Sequence, residues 1–117
     1  MPTNFTITRG DTWSLSGSAT LGGDPYDLAG CTLYFTVKYK HTDSEEDAVF
    51  QKSTGSGITH TNPTNGLYTV SANPADTTGL TKTRQVLVWD CQLVTAGGAK
   101  YTLNYGNLVV LPDVTNT

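Results

Sequence analysis

Cys31-Thr32-Leu33-Tyr34-Phe35-Thr36-Val37-Lys38-Tyr39-Lys40 is the stretch that decides the fold. Cys31, Leu33, Phe35, Val37 and Tyr39 alternate with Thr32, Tyr34, Thr36, Lys38 and Lys40. A period of two belongs to a β-strand with one face buried and the other in water. A slip of one residue would turn the whole apolar set outward, so the pairing register here is strongly specified.

The same period recurs on both sides. Upstream, Phe5, Ile7 and Arg9 alternate with Thr6 and Thr8, and Gly10-Asp11 breaks the chain. Trp13, Leu15, Gly17, Ala19 and Leu21 then share a face opposite Ser14, Ser16, Ser18 and Thr20, and Gly22-Gly23-Asp24-Pro25 is turn chemistry. Downstream, a polar loop at 41–47 precedes short strands at 48–53 and 58–61, parted by Gly55-Ser56-Gly57. The Asn65-Gly66 pair predicts a hairpin turn into a strand at 67–72. Asn73-Pro74-Ala75-Asp76 predicts one short helical turn, with Asn73 as N-cap and Pro74 in the first turn.

In the last third, Leu87, Trp89, Cys91 and Leu93 face one way, with Val86, Val88, Asp90 and Gln92 opposite. Gly97-Gly98 closes a hairpin into 100–111, where Tyr101, Leu103 and Tyr105 alternate and Gly106-Asn107 predicts a β-bulge. Seven or eight strands, with turn signals at the spacing of a sandwich or barrel, predict an all-β fold. The expectation is a single antiparallel β-sandwich domain over residues 1–117.

Composition bounds the function. A chain of 117 residues and 12.5 kDa buries roughly two thirds of its surface on folding, enough for a core without disulfides or metal. Hydrophobic residues at 37% and charged residues at 15% exclude a disordered chain. The net charge of −3, with seven scattered basic residues, argues against a nucleic-acid binder, which needs clustered Lys and Arg. No apolar stretch approaches the roughly 20 residues of a membrane span. Met1-Pro2-Thr3-Asn4 lacks the charged and apolar regions of a secretory signal, so synthesis in a cytoplasm is expected. Cys31 and Cys91 are too far apart for a zinc ribbon, and two buried free thiols are expected rather than a bridge.

Residues able to carry chemistry are few. His41 and His60 are the only histidines, and no GxSxG turn surrounds a serine, so no hydrolytic triad is expected. Asp90 interrupts an apolar strand, but alternation turns it away from the core, where a solvated carboxylate needs no catalytic role. The Asp43-Ser44-Glu45-Glu46-Asp47 run lacks the glycine and spacing of a calcium loop and reads as an exposed charged loop. Arg9-Gly10-Asp11 is good turn chemistry as well as an adhesion tripeptide, and Asn4-Phe5-Thr6 fits a glycosylation pattern without a secretion signal. Trp13, Phe35 and Trp89 are expected in the core. Tyr34, Tyr68 and Tyr105 are expected outward, as protein contacts or as a surface on which sugar rings stack.

Several segments resemble one family in order along the chain. They are Ile7-Thr8-Arg9-Gly10-Asp11-Thr12; Pro25-Tyr26-Asp27-Leu28-Ala29-Gly30-Cys31-Thr32 running into Leu33-Tyr34-Phe35-Thr36-Val37-Lys38; Asn65-Gly66; Pro74-Ala75-Asp76-Thr77-Thr78-Gly79-Leu80; and Asn107-Leu108-Val109-Val110-Leu111-Pro112-Asp113-Val114-Thr115. This layout resembles the small immunoglobulin-like virion proteins of tailed bacteriophages, and is similar to the N-terminal domain of their upper baseplate proteins.

The resemblance implies an immunoglobulin-like sandwich without enzymatic activity, cofactor or metal, assembled into a virion in the cytoplasm of a bacterial host. Upper baseplate proteins carry a further region that binds the receptor-binding protein, and this sequence stops after the sandwich. The expectation is therefore a capsid decoration (cement) protein, a homo-oligomer of a type often trimeric, with the major capsid protein as partner. A tail or baseplate component and a carbohydrate-binding or host-adhesion module are the alternatives. Candidate partner contacts are Asn4, Phe5, Tyr34, Tyr68, Tyr105, Pro112 and Val114, with the arms at 1–4 and 112–117 expected to order on a neighbour.

Overall fold

A computed structural model describes residues 4–21, 23–40, 42, 44, 48–77 and 84–112. Ten strands run through them: β1 (Phe5–Thr8), β2 (Trp13–Ser18), β3 (Thr20–Leu21), β4 (Asp24–Pro25), β5 (Thr32–Lys38), β6 (Phe50–Thr54), β7 (Gly57–Asn62), β8 (Leu67–Ala72), β9 (Gln85–Val94) and β10 (Lys100–Leu111). Pro63–Asn65 and Pro74–Asp76 form 3₁₀ turns. In the second, where one helical turn is expected, the Asp76 carboxylate accepts the Asn73 N–H at 2.8 Å. Among the described residues, no helix is long and apolar enough to cross a membrane.

Eight strands join in one mixed sheet, ordered β1-β10-β9-β5-β6-β7-β8-β2, while β3 and β4 form a separate two-stranded ribbon. The expectation of a wholly antiparallel fold is corrected at two junctions, β1–β10 and β6–β7, which are parallel. Alternation fixes which face a residue takes and carries no strand direction. A parallel pair cannot be joined by a tight turn, and β1 and β10 are far apart in sequence. At β6–β7 the chain kinks through Gly55 and Ser56, leaving only Ser53↔Gly57 and Thr54↔Ile58 in register.

The two edge strands are consecutive in the chain, and that forces curvature. Seven interstrand spacings would hold the edges of a flat eight-stranded sheet about 34 Å apart. The link from Thr8 to Trp13 spans at most about 18 Å. The sheet therefore curls until it is nearly a barrel. The Arg9 N–H bonds Leu111 O at 2.9 Å and the Gly10 N–H bonds Thr77 Oγ1 at 2.8 Å, which seats the link on the end of the curl. Thr77 is fully buried there.

Inside the curl lie the residues that alternation places inward: Leu33, Phe35 and Val37 on β5, Leu87, Trp89, Cys91 and Leu93 on β9, and Leu108 and Val110 on β10. Each large apolar side chain fully buried contributes about 1.5–3 kcal/mol. An aromatic cluster holds the centre. Phe35 stacks on Trp89 with centroids 5.2 Å apart and on Phe50 at 6.3 Å, while the half-buried Trp13 presents an edge contact at 6.0 Å.

Tyr68, expected outward, is buried. On β8 it shares the inward phase of Val70 and Ala72, and it pairs across the strand with Gly17 of β2. A Cβ at Gly17 would meet the Tyr68 ring at 2.5 Å, so the missing side chain is what gives the ring its space. Burial first, then the charge of Cys91 across the core and the hydrogen bond to it, raise the Tyr68 pKa.

The cysteines are unbridged. Cys91 is buried as expected, while Cys31 is only half-buried, because it sits just outside β5 at the sheet end. Burial pushes the Cys91 thiol up from 9.0 to about 11, opposed by the Tyr68 hydrogen bond and assisted by Asp90. The folded thiol thus keeps its proton where the unfolded one has lost it. Its contribution to stability is intact below pH 9.0 and is lost as pH rises through about 11. Native protein treated with a thiol reagent should take up one equivalent, at Cys31, and a second only on unfolding. Rapid labelling of both in the native state, read by intact mass, would contradict this placement.

Candidate functional site

Four adjacent strands, β6, β5, β9 and β10, present their outward residues in rows set by register. One row reads Gln51, Thr36, Asp90 and Tyr105; the next reads Ser53, Tyr34, Gln92 and Thr102. The rows do not lie on a flat surface. The register of β10 against β9 shifts between Thr102 and Asn104, placing the bulge at Leu103 rather than at the expected Gly106-Asn107. Gly106 instead pairs in register with Trp89. A bulge adds one residue to one strand and increases the local twist. Here it moves Tyr105 to the outer face beside Thr102, away from the inward phase of Leu103.

The result is a pair of adjoining concavities on the outer face. One, of about 230 Å³, is lined by Thr36, Lys38, Asp90, Thr102 and Tyr105 among others. The second, of about 360 Å³, is lined by Tyr34, Gln51, Gln92 and Lys100, and shares Thr36 and Asp90 with the first. Thr36 is only 6% exposed despite facing outward, and its hydroxyl oxygen accepts from Gln51 Nε2 at 2.9 Å. Tyr105 is 47% exposed and forms the rim.

Of the expected contact residues, the structure brings Tyr34 and Tyr105 to this one face, with Tyr34 half-buried. Tyr68 is removed from it, into the core. Asn4 is exposed beside β10, where its Oδ1 accepts the Asn107 N–H at 2.9 Å, and Pro112 is exposed just beyond Leu111. Phe5 opens β1. Its side chain, like Val114, lies outside the described residues, as do His41 and most of the acidic run at 43–47.

Lys38, Gln51, Gln92, Thr102 and Lys100 join the site without a place among the expected contact residues, and so does Asp90, expected only as a solvated outward carboxylate. His60 does not join it. Its Nε2 lies 3.0 Å from Thr54 Oγ1, and that oxygen accepts the Leu33 N–H at 2.8 Å, so the imidazole ties β7 to the Thr54 side chain that holds β6 against β5. Among the described residues, no three His, Cys, Asp or Glu side chains gather as a metal site.

A second outward surface adjoins the first. Val86, 49% exposed, pairs with Val109, and Leu111, 37% exposed, ends the same side of β10. With the half-buried Val88 they make an apolar strip against β1. In comparisons with known proteins, no family model and no curated protein matches the chain.

Proposed function

We propose that this chain is a non-enzymatic structural protein of a tailed-phage virion, a capsid decoration protein that binds across capsid subunits and stabilises the head. The observation that carries the proposal is the apolar strip. Residues 86–89 read Val-Leu-Val-Trp, and Leu87 and Trp89 already fill the core. A strand apolar on both faces is suited to cover on both, and an exposed apolar strip is suited to a protein partner. The strip lies on the outer face of β9 and β10 beside β1, where Asn4 and Pro112 are both exposed.

The family resemblance supports the same reading, since its segments meet in space. Gly10 of the first donates to Thr77 of the fourth, and Leu28 of the second donates to Pro63 O, next to Asn65-Gly66. We read the curled sheet as an immunoglobulin-like sandwich folded at the two-pair β6–β7 junction. One layer is β1-β10-β9-β5-β6 and the other β7-β8-β2, with Trp13 packing on Phe35 and Phe50 between them.

DNA packed in a head presses outward, and a protein seated across adjoining subunits opposes their separation. Several weak contacts made at once give it avidity, and a homo-oligomer, such as a trimer, multiplies them. Purified protein should co-sediment saturably with expanded heads that lack it, and not with unexpanded ones. Val86→Asp, a surface change of small cost to folding, should weaken that binding by about tenfold or more. Absence from both head forms, with the protein recovered in a tail fraction, would move the assignment to the tail or baseplate.

A further inference from the structure

We infer that the paired concavity on the outer face of β6, β5, β9 and β10 is a binding site for an uncharged saccharide of one or two pyranose rings. The argument starts from what the site offers. β5 and β9 are interior strands paired on both sides, so no free backbone edge is present for a peptide to extend. Recognition there must come from side chains.

Those side chains combine two kinds of contact. Tyr105 at the rim and Tyr34 at the far side present aromatic rings, whose negative faces attract the slightly positive C–H bonds on the apolar face of a pyranose. Between them stand Asp90, Gln92, Gln51 and Thr102, planar or branched groups that accept from and donate to neighbouring hydroxyls. A sugar ring needs both at once, an apolar platform beneath and polar partners around its edge.

Other ligand classes fit less well. A purely apolar molecule would offer no polar partner to a lining that includes the charged Asp90, Lys38 and Lys100 side chains. The lining carries both signs, Lys38 and Lys100 beside the Asp90 carboxyl that the two concavities share, so neither a polyanion nor a polycation meets a surface of one opposite sign. The volumes, about 230 and 360 Å³, suit small ligands or the end of a chain. Asp90 is the one carboxyl group among the described lining residues, whereas glycoside hydrolysis uses a pair. The site is therefore assigned binding without cleavage.

The concavity shares Val88 with the apolar strip but not Val86, so its test does not depend on head binding. The test titrates isotopically labelled protein with cellobiose, maltose, lactose and the N-acetylglucosamine disaccharide, following backbone amide shifts by NMR. At least one saccharide should cause saturable shifts on β5, β9 and β10, with weak affinity. Tyr105→Ala and Asp90→Asn should each lower that affinity at least tenfold at unchanged melting temperature, and Leu67→Ser, on β8, should leave it alone. Gln92→Ala replaces Asp90→Asn should the latter fail to fold. The inference is overturned if no saccharide in the panel gives saturable shifts, or if Tyr105→Ala binds as well as the parent.

Discussion

Phe35→Ala is expected to cost about 3–5 kcal/mol, a large share of the stability of a domain this size. Phe35 is fully buried, and its ring touches residues from three other strands: Trp13 on β2, Phe50 on β6 and Trp89 on β9. β2 lies at the far edge of the sheet from β1, so the ring bridges opposite sides of the curl. Truncation removes the transfer free energy of the ring and leaves a void whose walls are themselves large rigid rings, poorly able to collapse. Denaturant unfolding should show a lower midpoint at similar slope, with altered near-UV circular dichroism from Trp13 and Trp89. A loss below about 1 kcal/mol would mean that the aromatic cluster is not the packing centre.

Phe35 was legible in the sequence because a strand with one wet face announces its inward residues by period alone. The same holds for Leu33, Val37, Leu87, Cys91 and Leu93, all of which the structure buries. Three features were less legible, each for a physical reason. Strand direction leaves no trace in alternation, so the parallel β1–β10 and β6–β7 junctions went unseen. Tyr68 carries a hydroxyl that suits either face, and its burial depends on Gly17, fifty-one positions upstream, leaving room for the ring. Glycine marks irregular strands and so points to a bulge at Gly106-Asn107. A stronger signal was available: Leu103 and Leu108 are an odd number of residues apart, and one period of two cannot turn both inward. Resolving that conflict would have put Tyr105 beside Thr102 and revealed the concave face. The Lys38, Asp90 and Gln92 positions were correctly turned outward, but only the register between strands shows that they share rows with Gln51, Thr102 and Tyr105.

Gly66→Ala is expected to destabilise by about 2–5 kcal/mol, combining the cost of a left-handed backbone for an L-residue with overpacking. Gly66 follows the Pro63–Asn65 turn with φ of 73°, and its N–H bonds Pro63 O. The conformation alone would penalise alanine. Space makes it worse, because a Cβ there would lie 2.5 Å from Ala19 O and 2.8 Å from Tyr26 O. Both are backbone atoms and cannot swing aside. Ala19 O accepts the Tyr26 N–H at 2.9 Å, and the Ala19 N–H bonds Gly66 O at 2.7 Å. Any retreat from the new methyl group therefore breaks hydrogen bonds that join the β7–β8 turn to the segments at either end of the β3–β4 ribbon. Gly23→Ala is the informative control. Gly23 has a similar φ of 88° with nothing within 4 Å of its added Cβ, so that variant carries the conformational cost alone. Parallel denaturation curves should place Gly66→Ala well below Gly23→Ala in stability, by the overpacking contribution of about 1–3 kcal/mol. Equal losses would mean that the close approach of Ala19 and Tyr26 to Gly66 relaxes freely, and that the turn is held by its backbone conformation rather than by the ribbon docked against it.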